Sequence, residues 1–227
     1  MNSLIYRAIR KIKSFLKLKK AEKKNTFMGS GYYWKERYRF GGDSGPGSYN
    51  DLAEFKASVV NGFYLEKKLK SVIELGCGDG NQATYFNFDS YSGYDISLTA
   101  IRKCRGKFKN DRSKKFALQK NLKNNKADLV LSLDVLYHLV ELEVFEKYLN
   151  QLFNASRDYV IIYSTNHNDI EYTGSHVRHR KFTDWVDQNR KDFNLVLKIK
   201  NKFPYKGDIK KGSSCDFYIF NRVKNNR

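Results

Sequence analysis

Two acids frame a glycine loop in this chain. The stretch Ser71-Val-Ile-Glu-Leu-Gly-Cys-Gly-Asp-Gly80 is a short apolar run carrying Glu74, followed by glycines at 76, 78 and 80. Glycine has no Cβ and tolerates positive φ, so a strand ending in such a loop lets a ligand lie directly on backbone. Further on, Tyr91-Ser-Gly-Tyr-Asp-Ile-Ser97 gives a second strand signal with Asp95 near its end. An ionised carboxylate there only accepts, and it can take two hydrogen bonds from a ribose diol. A nicotinamide-binding loop would read G-x-G-x-x-G, whereas this one reads G-x-G-x-G with Glu74 two residues ahead.

A second chemical cluster lies at the end of Ala127-Asp-Leu-Val-Leu-Ser-Leu-Asp-Val-Leu-Tyr-His-Leu139. Ligands of open α/β sheets sit at the carboxyl ends of strands, so Asp134, Tyr137 and His138 are expected to face the crevice. His138, with Tyr137 beside it, is the candidate general base for an acceptor hydroxyl or amine. The same residues would also serve as a structural turn with the imidazole bonded to backbone. Beyond the next strand, His176-Val-Arg-His-Arg180 brings His176, Arg178, His179 and Arg180 together, a pattern suited to holding an anion, phosphate above all. A solvated charge run is the plainer reading. Without nearby thiolates no metal site is expected, the alternative being a His pair with Asp169 or Glu171.

The elements that must position these groups are legible from apolar pattern. Short apolar runs opening the Ser71 stretch, within Tyr91–Ser97, at Phe116–Gln119, within Ala127–Leu139 and at Tyr159–Tyr163 read as strands of a parallel sheet, with Asn194–Lys200 and Cys215–Phe220 as two further strands. Between them, helical spacing covers Leu52 to Phe63 behind an Asn50 or Asp51 cap, the stretch around Ile101, Val144 to Phe153, and Asp184 to Asn189. Ahead of the first strand, Tyr32-Tyr-Trp-Lys-Glu-Arg-Tyr38 runs into the glycine-rich Gly41-Gly-Asp-Ser-Gly-Pro-Gly-Ser-Tyr49, placed to act as a lid over residues 29–62.

At 227 residues the chain suits one α/β domain, residues 29–227, with an extension over residues 1–28. Net charge is +19, and residues 1–24 carry nine basic groups against Glu22. Ile5, Ile9, Ile12 and Leu16 recur there at helical spacing, so a basic amphipathic helix is expected. It would lie on an anionic membrane surface or pack on its own domain. Phosphate-tracking arms need no apolar stripe, so nucleic acid is the less favoured partner. Three cysteines without C-x-x-C spacing, no long apolar run and no signal-cleavage pattern point to the cytoplasm, with a peripheral position at the inner face of the membrane left open.

The loop with Glu74 ahead of it and Asp95 beyond it resembles the first motif of the class I S-adenosylmethionine-dependent methyltransferases, E/D-x-G-x-G-x-G. That resemblance spans about residues 30 to 222 and implies a Rossmann-like, doubly wound sheet of seven mostly parallel strands with an antiparallel last strand. It implies S-adenosylmethionine as cofactor, with Gly76, Cys77, Gly78 and Gly80 under its methionine part. Glu74 would stand near its amino group, Asp95 and Ile96 at the ribose, and Asp134 at the same crevice. Near the adenine the family often has an acid; Asn121 departs from that pattern but can accept from the amine, with the Leu122 N–H on the ring. The lid motif resembles one subgroup of bacterial enzymes, which puts Trp34, Arg37, Tyr38 and Ser48 at the methionine end and matches Arg37 to its carboxylate. With the His-Val-Arg-His-Arg loop, it is similar to enzymes of capsule and lipopolysaccharide biosynthesis. The implied acceptor is phosphorylated or carbohydrate-linked: a sugar nucleotide, a glycan-linked phosphate or a phosphoramidate, methylated on oxygen. The rivals are an RNA or DNA methyltransferase, although Asp134-Val-Leu-Tyr137 stands where an N-P-P-Y motif would, and a non-catalytic membrane-associated assembly partner.

Overall fold

The computed structural model describes residues 27–169 and 175–223. The basic extension expected over residues 1–28 therefore lies almost wholly outside the described residues, and so does any membrane contact made through it.

Seven strands form one sheet: β1 (Val72–Leu75), β2 (Tyr91–Asp95), β3 (Lys114–Leu118), β4 (Ala127–Leu133), β5 (Ser156–Ser164), β6 (Phe193–Ile199) and β7 (Asp216–Arg222), in the order β3-β2-β1-β4-β5-β7-β6. The first five pair in parallel; β7 runs antiparallel to β5 and to β6, so β7 is the one reversed strand. All four residues of β1 and nearly all of β4 are buried, as strands covered on both faces must be.

Among the described residues, five α-helices flank the sheet: α1 (Ser30–Arg39), α2 (Asn50–Glu66), α3 (Leu98–Lys107), α4 (Leu142–Asn154) and α5 (Phe182–Asn189). Alternate strand residues divide the core. Leu129, Leu131, Ile161 and Ile219 pack with Val60 and Phe63 of α2 and Ile101 of α3. Val130, Val160, Ile162 and Phe220 pack with Leu149 and Leu152 of α4 and Val186 of α5. At the start of α3, Ser97 Oγ accepts from the Ala100 N–H, capping the helix that follows Asp95.

Strand order reverses between β1 and β4, and at that point connections leave toward opposite faces. A crevice opens there at the carboxyl ends, the usual ligand position in an open α/β sheet. Among the described residues, no helix is long and apolar enough to cross a membrane.

Candidate active site

The crevice floor is the loop after β1. The Gly76 N–H donates to the Tyr94 carbonyl oxygen at 2.7 Å, turning the chain at φ +83°. A Cβ on Gly78, at φ +58°, would stand 2.2 Å from Ser44 Oγ and 2.7 Å from the Tyr38 hydroxyl, so only glycine lets the lid approach this closely. Gly76, Cys77 and Gly78 line the crevice; Gly80 turns the other way, toward Cys104 and Phe108 in the core.

Asp95 ends β2 on one side of this floor. Its Oδ2 accepts from the Gly78 N–H at 3.1 Å and its Oδ1 from the Ser97 N–H at 2.7 Å. Burial pushes its pKa up to about 6, with those N–H groups pulling the other way. A carboxylate has roughly four lone-pair positions, so acceptor capacity remains for a ligand, and Asp95 and Ile96 both face the crevice. Glu74 also lines it. Glu74 accepts from the Tyr91 hydroxyl, and burial raises it to about 7 against the pull of Tyr91 and Lys56.

The lid forms the roof. Ser30 at the start of α1 donates its N–H to Glu141 Oε1 at 2.8 Å and also bonds Glu141 through its hydroxyl. Ser44 and Asp79 form a reciprocal pair: Ser44 N–H to Asp79 Oδ2 at 3.1 Å, and Asp79 N–H to Ser44 Oγ at 3.0 Å. Although burial opposes it, the Tyr49 hydroxyl and the Asn81 and Ser44 N–H groups hold Asp79 below the usual carboxylate range. Trp34, Tyr38 and Ser48 face the crevice from this roof. Arg37 does not. Its guanidinium turns outward to Asp43, donating to the backbone oxygen at 2.7 Å and to Oδ1 at 3.0 Å, so the expected carboxylate contact has no support in its position.

At the end of β4, Asp134 adopts φ +58°, which is strained for a residue with a Cβ. It accepts from Lys56 Nζ through Oδ2 and from the Tyr137 hydroxyl through Oδ1 at 3.0 Å. Tyr137 thus sits behind Asp134 and packs on the core, with burial pushing its phenol up, rather than lining the crevice as a base. His138 does line it. Its Nδ1 stands 3.2 Å from the His176 carbonyl oxygen, which accepts only; Nδ1 therefore carries the proton and Nε2 the lone pair. Desolvation lowers its pKa to about 4. The ring lies parallel to His176 at 5.6 Å, His176 stacks on Tyr33 at 4.3 Å, and Trp34 meets His138 edge-on at 4.7 Å.

The basic loop divides in its uses. Arg180 donates to the carbonyl oxygens of Leu139 and Val140, at 2.7 and 2.5 Å, and lies over Phe145, so its guanidinium is spent on backbone. His179 Nδ1 pairs with Thr165 Oγ1 at 2.7 Å. Arg178, whose N–H donates to the Tyr137 oxygen, has an exposed side chain with no ion pair or hydrogen bond among the described residues. Near the expected adenine end, the 3₁₀ turn Gln119–Asn121 leaves Asn121 exposed and sends Leu122 into the core, while Gln119 takes the crevice position.

The crevice residues that went unforeseen include Gln119, Gln82 and Lys56. Gln119 and Gln82 carried no pattern of their own. Lys56 did: it falls on the apolar stripe of α2 with Leu52, Ala53, Val60 and Phe63, where a lysine has to find a buried partner. Among the described residues, no three His, Cys, Asp or Glu side chains gather to hold a metal ion.

Residues 43–194 match the family described as a methyltransferase domain. No curated protein matches the chain. The fold is similar to that of N-methyltransferase NodS from Bradyrhizobium japonicum WM9 in complex with S-adenosyl-L-homocysteine (11% identity, TM-score 0.65, 86% of this chain and 100% of that one). It is similar also to magnesium protoporphyrin IX methyltransferase from Synechocystis PCC 6803 with bound SAM (15%, 0.60, 87% and 99%). A third is an S-adenosylmethionine-dependent methyltransferase from Clostridium acetobutylicum ATCC 824 (16%, 0.59, 77% and 93%).

Proposed function

Since the chain belongs to the methyltransferase-domain family and is an S-adenosylmethionine-dependent methyltransferase, we propose that it O-methylates a small phosphorylated or phosphoryl-containing acceptor held between His138 and Arg178. The cofactor fits the residues present: a floor of Gly76 and Gly78 that lines the crevice with backbone, and beside it a carboxylate with acceptor capacity to spare. Bound there, it would supply a methyl group on a sulfonium, open to in-line displacement by an acceptor lone pair. Asp95 would accept from the ribose hydroxyls, Gly76 and Gly78 would let the ligand lie on backbone, and the roof of Trp34 and Tyr38 would exclude water.

His138 is the observation that carries the reading. With Nδ1–H committed to a carbonyl, its Nε2 lone pair can take the proton of an acceptor hydroxyl. A pKa near 4 suffices, because that proton becomes strongly acidic as the new C–O bond forms. Arg178 would hold the acceptor's anion. A sugar nucleotide or glycan-linked phosphate, the acceptors that the resemblance to capsule and lipopolysaccharide enzymes implies, carries both an anion and hydroxyls. A phosphoryl oxygen or phosphoramidate would use Arg178 and need no base.

The net charge of +19 favours a second reading, an RNA acceptor. Labelled S-adenosylmethionine offered with sugar nucleotides, phosphorylated glycans and RNA separates the two. Turnover on the small anions with modest salt dependence is expected. Turnover on RNA alone, with a steep fall in affinity as salt rises, would replace the proposal.

A further inference from the structure

Polar groups on the β4 side of the crevice have no role in the reading above. Lys56 is 1% exposed, and its Nζ meets Asp134 Oδ2. Gln82, 4% exposed, donates Nε2 to the Ala53 carbonyl oxygen at 2.9 Å. Because that carbonyl only accepts, the amide orientation is fixed and Gln82 Oε1 must be the other atom. It is buried and has no partner among the described residues. A buried acceptor without a donor is costly, and in a ligand crevice it marks where a donor arrives.

Placement says which part of a ligand would arrive. Lys56, Gln82 and Asp134 all line the crevice that Asp95 also lines. β1 lies between β2 and β4, and neighbouring strands are roughly 4.8 Å apart, so Asp95 and Asp134 end strands about 10 Å apart. A nucleoside anchored at Asp95 therefore extends its other end across Gly76 toward Lys56, Asp134 and Gln82. There it meets a buried ammonium, a carboxylate and an unsatisfied amide oxygen. That set complements a zwitterion: an apolar tail would leave Gln82 Oε1 unpaired, and a lone anion would meet Asp134.

We infer that Lys56, Gln82 and Asp134 recognise the α-amino-acid end of the methyl donor, Lys56 pairing with its carboxylate and Gln82 Oε1 with Asp134 accepting from its ammonium. The inference rests on the donor reading above, and it moves the carboxylate contact from Arg37 to Lys56.

Calorimetry on the full chain tests it with S-adenosylhomocysteine and with 5′-methylthioadenosine, the same nucleoside thioether without the amino-acid end. The wild type should bind the first at least about tenfold more tightly. Lys56→Met and Gln82→Leu should each erase most of that preference and leave 5′-methylthioadenosine affinity within about twofold, which also reports that the variant is folded. If Lys56→Met fails to fold, Gln82→Leu decides. Equal wild-type affinity for both ligands, or equal losses for both in the variants, overturns the amino-acid site and leaves the donor reading standing. Binding of neither ligand to the wild type removes both.

Discussion

The Nδ1 of His138 faces the backbone carbonyl oxygen of His176 at 3.2 Å, which fixes the tautomer of the imidazole in the crevice and joins the β4 end to the loop after β5. His138→Asn should lower kcat about 10²- to 10⁴-fold on a hydroxyl acceptor and leave cofactor affinity unchanged. Burial depresses this histidine to about 4, so its base form is complete above about pH 5 and lost as pH falls through 4. A pH–rate profile that kept a histidine limb near 6.5 would contradict this environment.

Cofactor binding should strengthen with pH between about 5 and 7. Burial raises Asp95 to about 6 and Glu74 to about 7, and a ligand presenting hydroxyl donors and positive charge favours their ionised forms. Binding at pH 6 should therefore release protons, seen as a calorimetric enthalpy that changes with buffer ionisation heat. Stability of the unliganded protein has the opposite sign. The folded state holds protons on these carboxyls that the unfolded chain has shed, so stability falls as pH rises from about 4 to 7. Asp95→Asn should weaken S-adenosylmethionine binding at least about tenfold and remove the lower part of the pH dependence.

Arg178 and Arg180, two residues apart, should respond differently. Arg178→Ala should raise the acceptor KM with cofactor Kd and Tm unchanged, because the guanidinium has no partner among the described residues. Arg180→Ala should lower stability by about 1–3 kcal/mol, since it removes charged donors from the Leu139 and Val140 carbonyls. A thermal melt beside steady-state kinetics reads both.

Glu141→Ala should loosen the lid. Ser30 loses its acceptor for both N–H and hydroxyl, and amide exchange across residues 30–39 should quicken while the sheet stays protected. Cofactor affinity should fall several-fold.

Much of this architecture was legible from residue pattern. β1 and β4 read as mostly apolar runs because helices cover both of their faces, and Asp95 read as a strand-end acid from the short strand signal ahead of it. Side-chain direction after a strand was less legible. Asn121 was placed at the adenine by family pattern, and the 3₁₀ turn after β3 rotates that position into solvent and brings Gln119 to the crevice. Arg37 was matched by motif, but its nearest acceptor, Asp43, is six residues away in its own lid. Lys56 and Gln82 depend on the packing of α2 over the glycine loop, a contact between segments with no joint signature in the chain.

The Ser44–Asp79 pair ties the roof to the loop that forms the floor, and Tyr49 adds a third bond at the same carboxylate. For a nucleoside to pass on that side, these bonds would have to part. Exchange of spent cofactor for fresh then becomes a gated event, with its own activation barrier separate from methyl transfer. Where that opening is slower than methyl transfer, the turnover number would report how often the latch opens.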